Sequence, residues 1–162
     1  MEQIKLNIMT AEDIQPVSKI LLNDCVKKTY MVPDLTPEEA EKMASRIIAL
    51  SSDKGRYVRG VYRDATLVGF LNDVGTEGSS IELGWALHPD YHNKGYCTAA
   101  VKAAITELFS MGYTEVNAGA FPENHASMRV MEKAGMERIN KAEEIEYRGK
   151  VYNCIFYARR KP

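Results

Sequence analysis

Apolar and polar positions alternate at Ile4, Leu6 and Ile8, which predicts a half-buried strand in IKLNIM. The next run, TAEDIQPVSKILLNDCV, opens with Thr10 and two acids as helix starts do, and Pro16 falls early enough to be tolerated. Thr36 with Glu39 three residues on forms a capping box. With Pro37 in the first turn, it predicts a helix to about Leu50 with Ala40, Met43, Ala44, Ile47 and Ile48 on its apolar face. Three strand patterns follow, RYVRGVY, TLVGFLNDV and SIELGWAL. Arg63-Asp64 and a turn from Gly75 to Gly78 separate them, which predicts an antiparallel meander. GYCTAAVKAAITELFSM carries a helical stripe (Cys97, Val101, Ala104, Leu108, Met111) ended by Gly112. EVNAGAF reads as a strand, NHASMRVMEKA as a helix stopped by Gly135, and MERINKAEEIEY with VYNCIFYARR as a hairpin across Arg148-Gly149-Lys150. This order predicts an α/β fold, a sheet with helices on both faces and a strand-to-helix crossover at its centre.

The chain has 162 residues, enough for one domain with its own core, and no linker-like or repetitive stretch divides it, so residues 1–162 are expected to form a single domain. A formal net charge of -1 gives no field that would draw the chain to nucleic acid or an anionic membrane. Cys25, Cys97 and Cys154 are odd in number and far apart. They argue against a disulfide framework or a metal site and for free thiols in a reducing compartment. No apolar run approaches membrane length and the first residues lack a signal-peptide core, so a cytoplasmic location is expected.

One stretch carries candidate chemistry. In HPDYHNKGYCTAA a helix is expected to start with HNKGYC as its first turn, exposing N–H groups from Asn93 to Thr98 at its positive end. Lys94 stands where an acid is usual, and Gly95 lets the backbone approach a ligand closely. These features suit an anion; the alternative is that Asn93 caps the helix and Gly95 serves a tight turn. There is no GxxxxGK before Ser or Thr and no GxGxxG after the first strand, so neither a P-loop nor a dinucleotide-binding turn is present.

SIELGWALHPDYHNKGYCTAAVKAAI, then NAGAFPENHASMRVMEKAGM and YRGKVYN, resemble the GNAT superfamily of acyl-CoA-dependent N-acetyltransferases, in particular its ribosomal-protein-alanine acetyltransferase-like branch. The resemblance covers about Tyr57 to the C-terminus. It implies a mixed, mostly antiparallel central sheet of about seven strands, acetyl-CoA as cosubstrate without a metal, and an amine acceptor, with a homodimer as one assembly open to it. The family's pyrophosphate loop, Gln/Arg-x-x-Gly-x-Gly/Ala, falls on His92, Gly95 and Cys97, and departs from the pattern at His92 and Cys97. The backbone from Asn93 through Lys94, Gly95, Tyr96 and Cys97 to Thr98 is then the implied phosphate cradle. The resemblance also implies that the backbone of Trp85, Ala86 and Leu87 pairs with the pantetheine arm between splayed strands. By the same resemblance Asn124 looks toward the cofactor, and Tyr30 and Met31 lie in the acceptor-binding loop.

Amine acetylation needs a placed thioester, a neutral amine, an oxyanion donor and a proton for the departing thiolate. Glu82 alternates with Ile81 and Leu83 on its strand and sits among small residues, so it is a candidate base acting directly or through water, or else a solvated strand carboxylate. By resemblance Ser127 would protonate the thiolate; otherwise it is a helix-start hydroxyl bonded to backbone. Cys97 reads as a small core residue rather than a nucleophile, so direct transfer is expected. The competing function is a non-catalytic acyl-CoA sensor or interaction module on the same fold.

Overall fold

The structure, a computed structural model, describes residues 3–162. Strand β1 (Ile4–Asn7) is shorter than its alternation suggested. Beyond Asn7 the chain turns, and the Met9 N–H bonds Ser51 Oγ (3.0 Å), so Met9 is buried while Ile8, expected to face inward, is exposed. The single helix expected from Thr10 is three pieces: a 3-10 turn (Ala11–Asp13), α1 (Ile14–Leu22) and α2 (Asp24–Lys27). Asn23 breaks the run by taking an extended conformation, and its Oδ1 accepts the N–H groups of Cys25 and Val26 (2.9 and 3.3 Å), which restarts the helix. Helix α3 (Pro37–Ser51) carries both halves of the predicted capping box, Glu39 N–H to Thr36 Oγ1 at 3.2 Å and Thr36 N–H to Glu39 Oε1 at 2.9 Å.

Strands β2 (Val58–Arg63), β3 (Thr66–Glu77) and β4 (Ser80–Leu87) form the meander. Gly75 lies inside β3, not in a turn; the chain reverses at Gly78, whose φ is +60°. Helix α4 (Tyr96–Ser110), β5 (Glu115–Ala120), α5 (His125–Lys133), β6 (Glu137–Tyr147) and β7 (Lys150–Arg160) complete the chain. The β6–β7 turn is Arg148-Gly149, both at positive φ (51° and 76°) as a two-residue hairpin turn requires.

The seven strands lie in the order β1-β2-β3-β4-β5-β7-β6, antiparallel except for β4 and β5. On one face α4 and α5 pack Val101, Ile105, Leu108 and Met131 against Leu71, Leu83 and Val116. On the other, α1 and α3 pack Ile20, Leu21 and Ile48 against Val58, Phe70 and Ala86. No helix of the described residues is long and apolar enough to cross a membrane.

Candidate active site

The site begins with a failure of pairing. Parallel β4 and β5 are in register only at Ser80–Glu115, Ile81–Val116 and Glu82–Asn117, while β5 stays paired with β7 as far as Ala120–Ile155. Past Glu82 the two strands part, and a cleft of about 370 Å³ opens there. The His88 N–H bonds Val68 O (2.9 Å), which sets the parity of the β3–β4 ladder. Ala86 therefore turns its backbone toward Phe70, whereas the backbone of Trp85 and Leu87 faces the gap. Of the three residues expected to line the gap with backbone, Ala86 is spent in the sheet.

Glu82 stands at the edge of the gap with no side-chain hydrogen bond or ion pair to any described residue. Burial raises its pKa above the usual carboxylate value, Lys141 pulls it back, and Glu143 pushes it up again. Beside it, Asn117 gives its Nδ2 to Ser80 Oγ (2.9 Å), and its buried Oδ1 has no partner among the described residues. Asp73 also lines the cleft but is held by Arg56 (Nε to Oδ2 2.9 Å, Nη2 to Oδ1 2.8 Å) and by the Tyr57 N–H, so it is not available to a ligand.

Across the gap, Asn124 caps α5, its Oδ1 accepting the Ser127 N–H (3.2 Å) and its Nδ2 donating to Ser127 Oγ (3.0 Å). One acceptor site of the Ser127 hydroxyl is thereby filled, and its own proton has no acceptor among the described residues. Both side chains line the cleft, so the structure brings Glu82, Asn124, Ser127 and Trp85 together around one space.

The loop that leads into α4 follows the end of β4. The helix starts later than expected: Gly95 (φ +79°) is its N-cap, Asn93 (φ +59°) does not cap it, and Lys94 precedes the first turn instead of occupying it. The Ala99 N–H is the first to find a helical acceptor, Gly95 O at 3.1 Å, so Cys97 and Thr98 present N–H groups with no helical carbonyl to take them. There is no acid in that turn, and a Cβ built on Gly95 would meet nothing within 4 Å. His92 turns back on the protein, its Nε2 2.9 Å from Leu87 O, so its ring braces the loop and occupies one of the two carbonyls facing the gap. Burial pushes the Cys97 thiol up to about 12, consistent with a packing role.

Tyr30 and Met31 line the cleft from the segment between α2 and α3. The Tyr30 hydroxyl donates to Asn72 Oδ1 (3.1 Å), its ring meets Phe70 edge-on, and burial pushes its pKa up to about 12. The hairpin tip fastens this segment. Tyr147 donates its hydroxyl proton to Lys27 O and accepts from the Val32 N–H (3.3 Å) and Arg148 Nε (2.9 Å); Arg148 also reaches Asp34 (2.9 Å) and Val32 O (2.7 Å).

Residues 3–137 match the acetyltransferase (GNAT) domain model. The chain belongs to the GNAT acetyltransferase family. Among curated relatives, the uncharacterized N-acetyltransferase YnaD of Bacillus subtilis is 43% identical over 58 residues, which is 35% of this chain and 34% of that protein. The chain thus aligns with only about a third of YnaD. The N-acetyltransferase YoaA of the same organism is 23% identical over 99% of this chain and 95% of its own length. A GNAT acetyltransferase from Bacillus anthracis superposes with a TM-score of 0.85 at 25% identity, covering 98% of this chain and 95% of that one. RimL, a ribosomal L7/L12 alpha-N-protein acetyltransferase solved with coenzyme A, superposes with a TM-score of 0.85 at 15% identity, over 97% and 93% of the two chains. The last likeness bears on the fold.

Several residues of this GNAT cleft escape a reading of the sequence. Asn72 and Val74 of β3 and Cys154 and Phe156 of β7 all line it. Asn72 leaves a signal, a polar side chain inside an otherwise apolar strand pattern. Val74 leaves none, because it reaches the cleft through a bulge that only pairing reveals: Asp73 lies opposite Leu83 and Gly75 opposite Glu82, and Val74 has no partner.

Proposed function

We propose that this N-acetyltransferase moves the acetyl group of acetyl-CoA directly to a primary amine, with Glu82 as base and Ser127 as the group that serves the departing thiolate. Bound acetyl-CoA supplies the activated thioester. The N–H groups at the start of α4, the open space over Gly95 and the positive charge of Lys94 suit its phosphates, and the backbone of Trp85 and Leu87 at the gap suits its amide-bearing arm. That RimL was solved with coenzyme A supports this donor, and its action on a protein α-amine supports an amine acceptor.

Glu82 accepts a proton from the ammonium form, directly or through one water, and frees the nitrogen lone pair. As the C–N bond forms and the C–S bond breaks, the Ser127 hydroxyl gives its proton to the departing sulfur and regains one from the proton that the newly bonded nitrogen sheds, directly or through water, while Asn124 holds the hydroxyl oxygen. The carrying observation is Glu82: a carboxylate without a side-chain partner among the described residues, desolvated enough to raise its pKa, at the point where β4 and β5 separate.

The test is to incubate the protein with acetyl-CoA and a panel of amines, follow free CoA thiol and weigh the amine products. Thiol release matched by a one-acetyl mass gain is the expected result. Saturable acetyl-CoA binding with no transfer to any amine would instead favour a non-catalytic acyl-CoA-binding module.

A further inference from the structure

The acceptor end of the cleft has a chemical character of its own, and its meaning for an amine rests on the acetyl-transfer reading. Its side walls are apolar: Val74 from the β3 bulge, Met31 from the α2–α3 segment, Phe121, Ile145 and Phe156. Val74 and Met31 are the exposed members, 58% and 51% accessible, although both side chains are large and apolar. Val74 lies over the strand next to the base, since a Cβ on Gly84 would come 3.2 Å from its Cγ2. The bulge therefore inserts an extra apolar side chain two positions along β4 from Glu82, on the same face of the sheet.

The charge of the cleft runs one way. Among the described residues lining it there is no Lys, Arg or His; Asp73 is neutralised by Arg56, and Glu82 is the remaining carboxylate. After burial, Glu143, Glu82 and Glu123 together push up the pKa of the Cys154 thiol in the cleft wall, so negative charge converges here from β4, β6 and the turn before α5. The nearby cations stand outside the described lining, Lys141 over the Phe156 ring (4.4 Å), from where it acts on Glu82, and Lys150 beside Glu123 (3.6 Å). An ammonium is welcome in such a site. A carboxylate or phosphate two or three bonds from it finds no cation in the described lining and has ionised Glu82 as its neighbour.

We propose that the acceptor is a primary amine on an apolar group free of anionic charge, such as an amino-acid residue whose carboxyl is in amide linkage, and that Val74 with Met31 selects it. The two side chains grip the apolar group at the mouth while its amine meets Glu82. Apolar contacts of this kind discriminate by about 10- to 200-fold per group recognised.

Leucine amide, free leucine and serine amide, each with saturating acetyl-CoA, form the test. Leucine amide is expected to be acetylated with a KM roughly tenfold or more below that of serine amide, and free leucine to be the poorest acceptor. Val74→Ser is expected to raise the leucine amide KM toward that of serine amide while leaving the acetyl-CoA KM unchanged, and Met31→Ser to do the same to a lesser degree. Because both positions are exposed, a melting temperature equal to the parent's is expected and confirms that the fold is intact. Equal KM values for the three amines, or a Val74→Ser protein with parental preference, would overturn the assignment while leaving acetyl transfer in place. Transfer to none of them or to any other amine would overturn the acetyl-transfer reading and this proposal with it.

Discussion

At the scale of single residues, Glu82 makes a claim about stability as well as about chemistry. Its pKa is raised in the folded protein, so its contribution is fully present below the unfolded carboxylate value of about 4.3 and is lost as pH rises through the folded value. Ionised Glu82 therefore costs stability at neutral pH. Glu82→Gln is expected to melt higher than the parent at pH 7 and to show no advantage near pH 4, read by thermal denaturation at both pH values, while its kcat falls by about 10² to 10⁴. Ser127→Ala is expected to lower kcat with little change in either KM, a split that steady-state kinetics reads directly. The candidate base was legible because strand alternation isolates one carboxylate among small residues in SIELGWAL. The His92 brace was not, because its partner, Leu87 O, is defined only once the loop between β4 and α4 has folded back.

At the scale of elements, two devices position the site. The first is the entry to α4, where Gly95 takes a left-handed φ with nothing near its missing Cβ. Gly95→Ala meets no clash and should lose about 1–2 kcal/mol through backbone strain alone, a fall of roughly 2–8 °C in Tm, together with weaker acetyl-CoA binding by calorimetry. Lys94→Ala keeps the backbone donors, so its binding deficit should shrink as salt rises. The second is the fastening of the Tyr30–Met31 segment by Tyr147 and Arg148. Tyr147→Phe removes its hydrogen bonds and should raise the acceptor KM roughly tenfold with the acetyl-CoA KM unchanged. Local signals made the elements readable: the capping box of α3, the Arg148-Gly149 turn, the glycines after α4 and α5. The break at Asn23 and the bulge at Val74 were not readable, because a side-chain cap inside a helical pattern and a slip in register are settled by competing contacts.

At the scale of the whole molecule, one topological feature creates the site: a parallel β4–β5 pair inside an antiparallel sheet, joined by the α4 crossover, that stays together for three residue pairs and then opens. The order of elements was legible from periodicity, and the seven-strand mixed sheet from resemblance. The extent of the opening was not, since it depends on β5 remaining with β7. A ligand held by both sides of the opening should stiffen the sheet on both sides of it. Acetyl-CoA at about 100 times Kd is expected to add about 2.7 kcal/mol, a rise of roughly 5–10 °C in Tm. The most direct test of Glu82 as the base at this opening is the pH dependence of kcat/KM for acetyl transfer to one amine, measured on the parent and on Glu82→Gln. The parent should lose activity on the acid side with an apparent pKa above the ordinary carboxylate value, and Glu82→Gln should lack that limb while its rate climbs steadily toward the pKa of the amine. The same acid limb in both proteins, with kcat/KM equal at neutral pH, would contradict it.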